Sequence, residues 1–82
     1  MSREVILYTR RQCGLCDETA TALRALSSDL RFTIVEFDID HDPMLRERYN
    51  DVVPVVAVGE RVIAQAPIDE GALRTLLTEA LS

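Results

Sequence analysis

Val5-Ile6-Leu7-Tyr8-Thr9-Arg10-Arg11-Gln12-Cys13-Gly14-Leu15-Cys16 decides the reading of this chain: an unbroken apolar run, a short polar turn, then two cysteines three positions apart. The run from Val5 to Tyr8 predicts a strand covered on both faces, because a strand with one wet face alternates apolar and polar side chains. Beyond the pair, Leu15, Cys16, Ala20, Leu23 and Leu26 recur at helical spacing with Asp17, Glu18 and Arg24 between them. That pattern predicts a helix over residues 14–26, ended by Ser27-Ser28-Asp29. The cysteines therefore stand where a strand gives way to a helix.

That position suits thiol chemistry. A dithiol exchange catalyst needs one thiol that is accessible and ionised, and a second near enough to attack the mixed disulfide before the substrate leaves. Cys13 falls beside the unpaired N–H groups and positive end of the helix, while Cys16 lies one turn in, closer to the core. Arg10 and Arg11 add positive potential near Cys13; Asp17 and Glu18 oppose it, though acids in a first helical turn also stabilise the helix. Against this stands the reading that both cysteines are small, inert core side chains. Zinc is the other alternative, but a structural site usually takes four Cys or His ligands. This chain holds two cysteines and His41, so zinc would require a site shared between two chains. Asp17 stands where covalent haem attachment requires histidine, and no metal is expected.

Further along, residues 32–38 (Phe-Thr-Ile-Val-Glu-Phe-Asp) are rich in β-branched and aromatic side chains and predict a second strand, parallel to the first by the usual crossover. Asp42-Pro43 reads as an N-cap with proline at the first helical position, opening a short helix through Met44, Leu45 and Tyr49 to about Asn50. Proline at position 54 belongs at the start of a strand or in a special bend, and a trans Val53–Pro54 bond is the ordinary expectation. Val55 to Val58 and Arg61 to Ala64 flank Gly59-Glu60, a two-residue loop suited to a type II′ hairpin. Asp69 then caps a last helix carrying Leu73, Leu76, Leu77, Ala80 and Leu81 on one stripe. The order is β-α-β-α-β-β-α.

Eighty-two residues, 48% of them hydrophobic, suffice for one small core and hence a single domain over 1–82. A secreted chain this short usually carries several disulfides, and a bridge across three positions closes too small a loop to stabilise a fold much. With no signal-peptide core near the N-terminus and nothing approaching the ~20 apolar residues of a membrane span, the chain is expected to be soluble and cytoplasmic, without a membrane partner. A net charge of −5 disfavours nucleic acid, whose binding depends on clustered cations. All nine basic residues are arginine, which we read as compositional bias. Asp38, Asp40 and Asp42 imitate the start of a calcium loop, but Pro43 and Tyr49 occupy its glycine and glutamate positions. His41, beside three aspartates, reads as solvated surface.

Leu7 to Cys16, Asp38-Ile39-Asp40 and Tyr49-Asn50-Asp51-Val52-Val53-Pro54 together resemble the corresponding segments of glutaredoxin-like proteins, the small bacterial branch most closely, over almost the whole chain. The resemblance implies an α/β thioredoxin-like fold with a four-stranded mixed sheet, and a cis Pro54 facing the cysteine pair. It implies Cys13 as the attacking residue and Val53 as the backbone that meets an extended substrate. Arg10 matches the basic residue of the family's lysine-x-x-cysteine pattern. The sequence departs from the family twice. Gly14-Leu15 replaces the proline-containing pairs of glutaredoxins and thioredoxins, and Ala64-Gln65 stands where glutaredoxins place a glycine pair before the acidic residues that hold glutathione, with Asp69 slightly displaced.

The expected function is thiol-disulfide exchange by Cys13 and Cys16, with Arg10, Val53 and Pro54 on the substrate side. The expected partners are a disulfide-containing protein or small thiol substrate and a reductase or thiol donor. No resident cofactor is expected; glutathione is a candidate co-substrate. The rival is a redox-inactive module that binds an extended peptide or protein beside Pro54, and a third option is a monothiol route that survives loss of Cys16.

Overall fold

In the computed structural model, which describes residues 3–82, the elements are β1 (Glu4–Thr9), α1 (Gly14–Leu30), β2 (Thr33–Asp38), a 3₁₀ turn (Ile39–His41), α2 (Pro43–Tyr49), β3 (Val55–Val58), β4 (Arg61–Gln65) and α3 (Glu70–Leu81). Met1 and Ser2, the first residues of the expected 1–82 domain, lie outside the described residues. The sheet order is β2-β1-β3-β4, with β1 parallel to β2 and antiparallel to β3, and β3 antiparallel to β4. The expected order of elements and mixed four-stranded sheet are both present.

β1 is interior, but its two faces differ. Val5 and Leu7 are fully buried with Ala20, Leu23, Phe32, Val56, Leu73 and Leu77, the main core between the sheet and helices α1 and α3. Ile6 and Tyr8, on the other face, are only half-buried, which corrects the expectation of equal cover. That face has only the seven-residue α2 and the 3₁₀ turn above it, supplying Ile39 and Tyr49 to a second, smaller cluster with Val55. The rings of Tyr8 and Tyr49 lie 4.7 Å apart. Burial, followed by the neighbouring Tyr49, raises the Tyr8 phenol above its ordinary value.

The second correction concerns α1, which runs through Ser27-Ser28-Asp29 to Leu30. Serine weakens a helix when its hydroxyl competes for backbone groups outside it. Here Ser27 Oγ donates back to the Arg24 carbonyl at 2.7 Å, inside the same helix. Leu26 and Leu30 both pack on the main core, so the last turn has apolar surface to bury. The helix ends at Arg31, whose N–H makes the last bond to the Ser27 carbonyl and whose left-handed φ of 57° turns the Phe32 N–H back to the same carbonyl.

The remaining local expectations rest on visible contacts. Asp42 accepts from the N–H groups of Met44 and Leu45, with Pro43 opening α2. Asp69 accepts from Gly71 N–H at the start of α3. Gly59 alone takes positive φ in the β3–β4 turn, as a type II′ hairpin requires. Along α3, Leu73 and Leu77 are buried while Leu76, Ala80 and Leu81 are half-buried. Among the described residues, no helix is long and apolar enough to cross a membrane.

Candidate active site

The chain leaves β1 and turns at Gln12, which takes a left-handed φ of 56°. The turn delivers Cys13, in extended conformation, to the N-cap of α1. A helix leaves its first N–H groups without intrahelical partners, and Cys13 Sγ accepts one of them, from Cys16, at 3.1 Å. The two cysteines are joined as a disulfide, with Cα atoms 5.2 Å apart. They differ in access: Cys13 is partly exposed, whereas Cys16 is 1% exposed. Nothing lies within 4 Å of the point where Gly14 would carry a Cβ, so the approach over the start of the helix is open. The bridge thus joins a surface sulfur to a core one.

Val53 and Pro54 reach the same end of the sheet, because β3 runs antiparallel to β1 with Val55 opposite Tyr8. Pro54 is fully buried, at the entry to β3. The Val53–Pro54 bond is cis, as the resemblance implies and against the ordinary trans preference; Ala66–Pro67 is also cis. Ala66 N–H bridges to the carbonyls of Val52 and Pro54, while among the described residues Val53 itself enters no backbone hydrogen bond. Its N–H and carbonyl thus have no backbone partner among the described residues, and the residue is half-buried. Leu15 and Pro54, with Glu18, Thr19, Ile68 and Glu70, line a groove of about 330 Å³.

Arg10 is engaged elsewhere. Its guanidinium donates to both carboxylate oxygens of Asp40, at 2.7 and 3.3 Å, and to the Asn50 carbonyl at 3.0 Å. One side chain thereby ties the turn before Cys13 to the 3₁₀ turn and to the segment leading into Val53. Any ligand would have to share Arg10 with Asp40. The other aspartates of that stretch are also occupied: Asp38 accepts from Asp40 N–H and lies 3.7 Å from His41, and Asp42 caps α2. Sequence reasoning missed Asp40 as the partner of Arg10, thirty positions away. It also missed the groove residues Glu18, Thr19, Ile68 and Glu70, which lie on α1 and around the start of α3.

The ion pair sets a pH dependence. The hydrogen bond from Arg10 holds the Asp40 carboxyl below its ordinary value, and the bond to Asp40 raises Arg10. A carboxyl lowered by folding stabilises the fold above its unfolded value of about 3.9 and loses that contribution as pH falls through the folded value. Arg10 contributes in the opposite sense, up to its already high unfolded value, so only the acid limb is accessible. Wild type is expected to exceed Asp40→Asn in stability by a constant margin from about pH 5 to 8, narrowing below about pH 4. Urea unfolding at a series of pH values measures the margin; one that stayed constant to pH 2 would show that the pair contributes nothing. Both partners are partly exposed, so added salt should reduce it.

Comparison with known proteins gives a consistent family signal. Residues 4–78 match the family described as Glutaredoxin-like domain (DUF836). The uncharacterized protein Rv0508 of Mycobacterium tuberculosis is 38% identical over 80 residues, covering 90% of this chain and 82% of that protein. The solution structure of protein Ne2328 from Nitrosomonas europaea superposes with a TM-score of 0.80 at 31% identity, covering all of this chain and 94% of that one. The X-ray structure of target protein XcR50 from X. campestris gives 0.78, also at 31% identity, over 92% and 96% of the two chains. Thioredoxin 1 from Thermosipho africanus superposes at 0.72 over 95% and 93% of the chains. At 13% identity that likeness shows the fold alone, which is thioredoxin-like.

Proposed function

The chain belongs to the glutaredoxin-like domain family (DUF836), and on that premise we propose that it is a thiol-disulfide oxidoreductase, a dithiol electron carrier acting through Cys13 and Cys16. The observation that carries the reading is the bridged pair at the start of α1, with the partly exposed sulfur of Cys13 accepting a helix N–H and Cys16 buried behind it. In the reduced protein the Cys13 thiolate attacks a disulfide sulfur of the partner. The partner's S–S bond breaks, its departing sulfur takes up a proton, and a mixed disulfide forms. Cys16 then loses its proton and attacks Cys13 Sγ, expelling the second partner thiol as the Cys13–Cys16 bond closes. The partner has gained two electrons and the pair has lost two, which a reductase or a thiol donor such as glutathione returns. Cytoplasmic reducing conditions suit this cycle.

Val53 supplies the substrate side of the proposal. Its N–H and carbonyl pair with an extended stretch of the partner, beside buried Pro54, as in strand addition. The same observation favours a second reading, a peptide-binding module whose cysteines take no part. Alkylation of the reduced protein separates the two. In the catalyst Cys13 reacts as thiolate at a pH clearly below that of a free thiol, about 8.5, because helix N–H groups favour the anion. In the binding module Cys13 shows the ordinary thiol profile. An ordinary profile overturns the catalytic reading.

A further inference from the structure

Resting on the exchange reading above, we infer that the groove beside the cysteines selects disulfides carried on cationic peptide and disfavours anionic ones, oxidised glutathione among them. The accessible surface of the groove is mainly polar, and its charged side chains are acidic. Leu15, which sits between the two cysteines and is 56% exposed, lines it together with Pro54 and Ile68, and Glu18 on α1 and Glu70 on α3 are the charged residues of the lining. No cation lines it among the described residues.

The other charges near the pair are of both signs. Arg10, the cation nearest in sequence to Cys13 after Arg11, is held by Asp40 and Asn50. Asp17 follows the pair in the first turn of α1, and Asp69 precedes Glu70. The cleft on the other flank of α1 is of mixed sign, with Arg10, Arg11 and Arg24 facing Asp17, Glu36 and Asp38, so it does not draw anions strongly. The chain as a whole carries −5. A cleft lined by one sign of charge raises the local concentration of oppositely charged substrate and lowers that of like charge. Oxidised glutathione carries four carboxylates against two ammonium groups. A disulfide flanked by lysine or arginine, with an apolar neighbour to cover Leu15, matches the groove instead.

The test is single-turnover reduction by the pre-reduced protein, read as peptide thiol released, so that no recycling reductase is involved. The probes are one short peptide disulfide in three versions, its cysteine flanked by lysine, serine or glutamate, together with oxidised glutathione. At low salt the lysine version is expected to react about tenfold faster than the glutamate version, and oxidised glutathione more slowly than the serine version. The lysine-to-glutamate ratio should fall toward one as salt is raised to about 0.5 M, and also in the double variant Glu18→Gln/Glu70→Gln at low salt. Equal rates, or faster reduction of the glutamate version, overturn the inference. A ratio unchanged in the double variant overturns the assignment to Glu18 and Glu70. Should that variant not fold, the wild-type ratio and its salt dependence decide alone. Reduction of the serine version separates the two levels: if the wild type does not reduce it, the exchange reading itself fails, whereas its reduction without charge preference removes only the inference drawn here.

Discussion

Cys13→Ser is expected to reduce disulfide exchange to the uncatalysed background, about a thousandfold or more below wild type, in an insulin or glutathione-linked reduction assay. Cys16→Ser is expected to fail differently, by stopping after the first bond is made. The asymmetry follows from access. A partner disulfide has to reach the attacking sulfur in line, and Cys13 is partly exposed with open space above Gly14, whereas Cys16 is 1% exposed. Only Cys13 occupies the N-cap, where its sulfur takes a helix N–H. Once the mixed disulfide has formed, Cys16 is the nearest nucleophile, its Cα 5.2 Å from that of Cys13. Without it the mixed disulfide persists.

The two variants therefore read different steps. Mass spectrometry of Cys16→Ser recovered from cells should find Cys13 bound to its partner, and the identity of that partner names the substrate. Full activity in Cys13→Ser overturns the mechanism. Sustained turnover by Cys16→Ser with glutathione present replaces the dithiol route with a monothiol one, in which glutathione resolves the intermediate.

Much of this geometry was legible because its determinants are local. The cysteine spacing, the Gly59-Glu60 turn and the Asp42-Pro43 cap are each contained within a few consecutive residues, and local contacts produce them. The end of α1 was not legible because Ser27-Ser28-Asp29 looks like a stop when side-chain competition is considered alone. What continues the helix is burial of Leu30 against a core assembled from distant segments. Arg10 illustrates the same limit at the site. Three positions before a reactive cysteine it reads as a cation for the substrate, and its partner Asp40 enters only once β2 lies beside β1, pairing Thr9 with Asp38. The alternating aspartates imitate a calcium loop only in spacing, and the tasks of two of them were hidden from the sequence: Asp38 caps the 3₁₀ turn and Asp40 holds Arg10, while Asp42 caps α2 as its proline neighbour announced. The groove beside Leu15 is the extreme case, since α1, Pro54 and the start of α3 meet only in the folded chain.

Leu77→Ala is expected to cost about 2–5 kcal/mol of folding stability, the range for truncating a fully buried leucine. Leu77 is 0% exposed and belongs to the core formed by β1, α1, β3 and α3. The loss combines the transfer of its side chain from water with the cavity left behind, because close-packed neighbours relax only partly. Small domains have about 5–15 kcal/mol in all, so the change removes a large share of the total. In a chain of this length it should lower Tm by roughly 10–30 °C. Met44→Ala is the control: Met44 is 71% exposed, and its loss should stay within about 0.5 kcal/mol. Both are measured by urea unfolding of the oxidised protein, so that the Cys13–Cys16 bridge is constant across variants. If α3 docks as part of one cooperative core, the Leu77→Ala midpoint falls while the slope of the transition is unchanged. A loss below about 1 kcal/mol, or a separate early transition, would mean that α3 unfolds independently. Glu70 would then no longer be held in one groove with Glu18, and that groove could not be the fixed surface that the proposed charge selection requires.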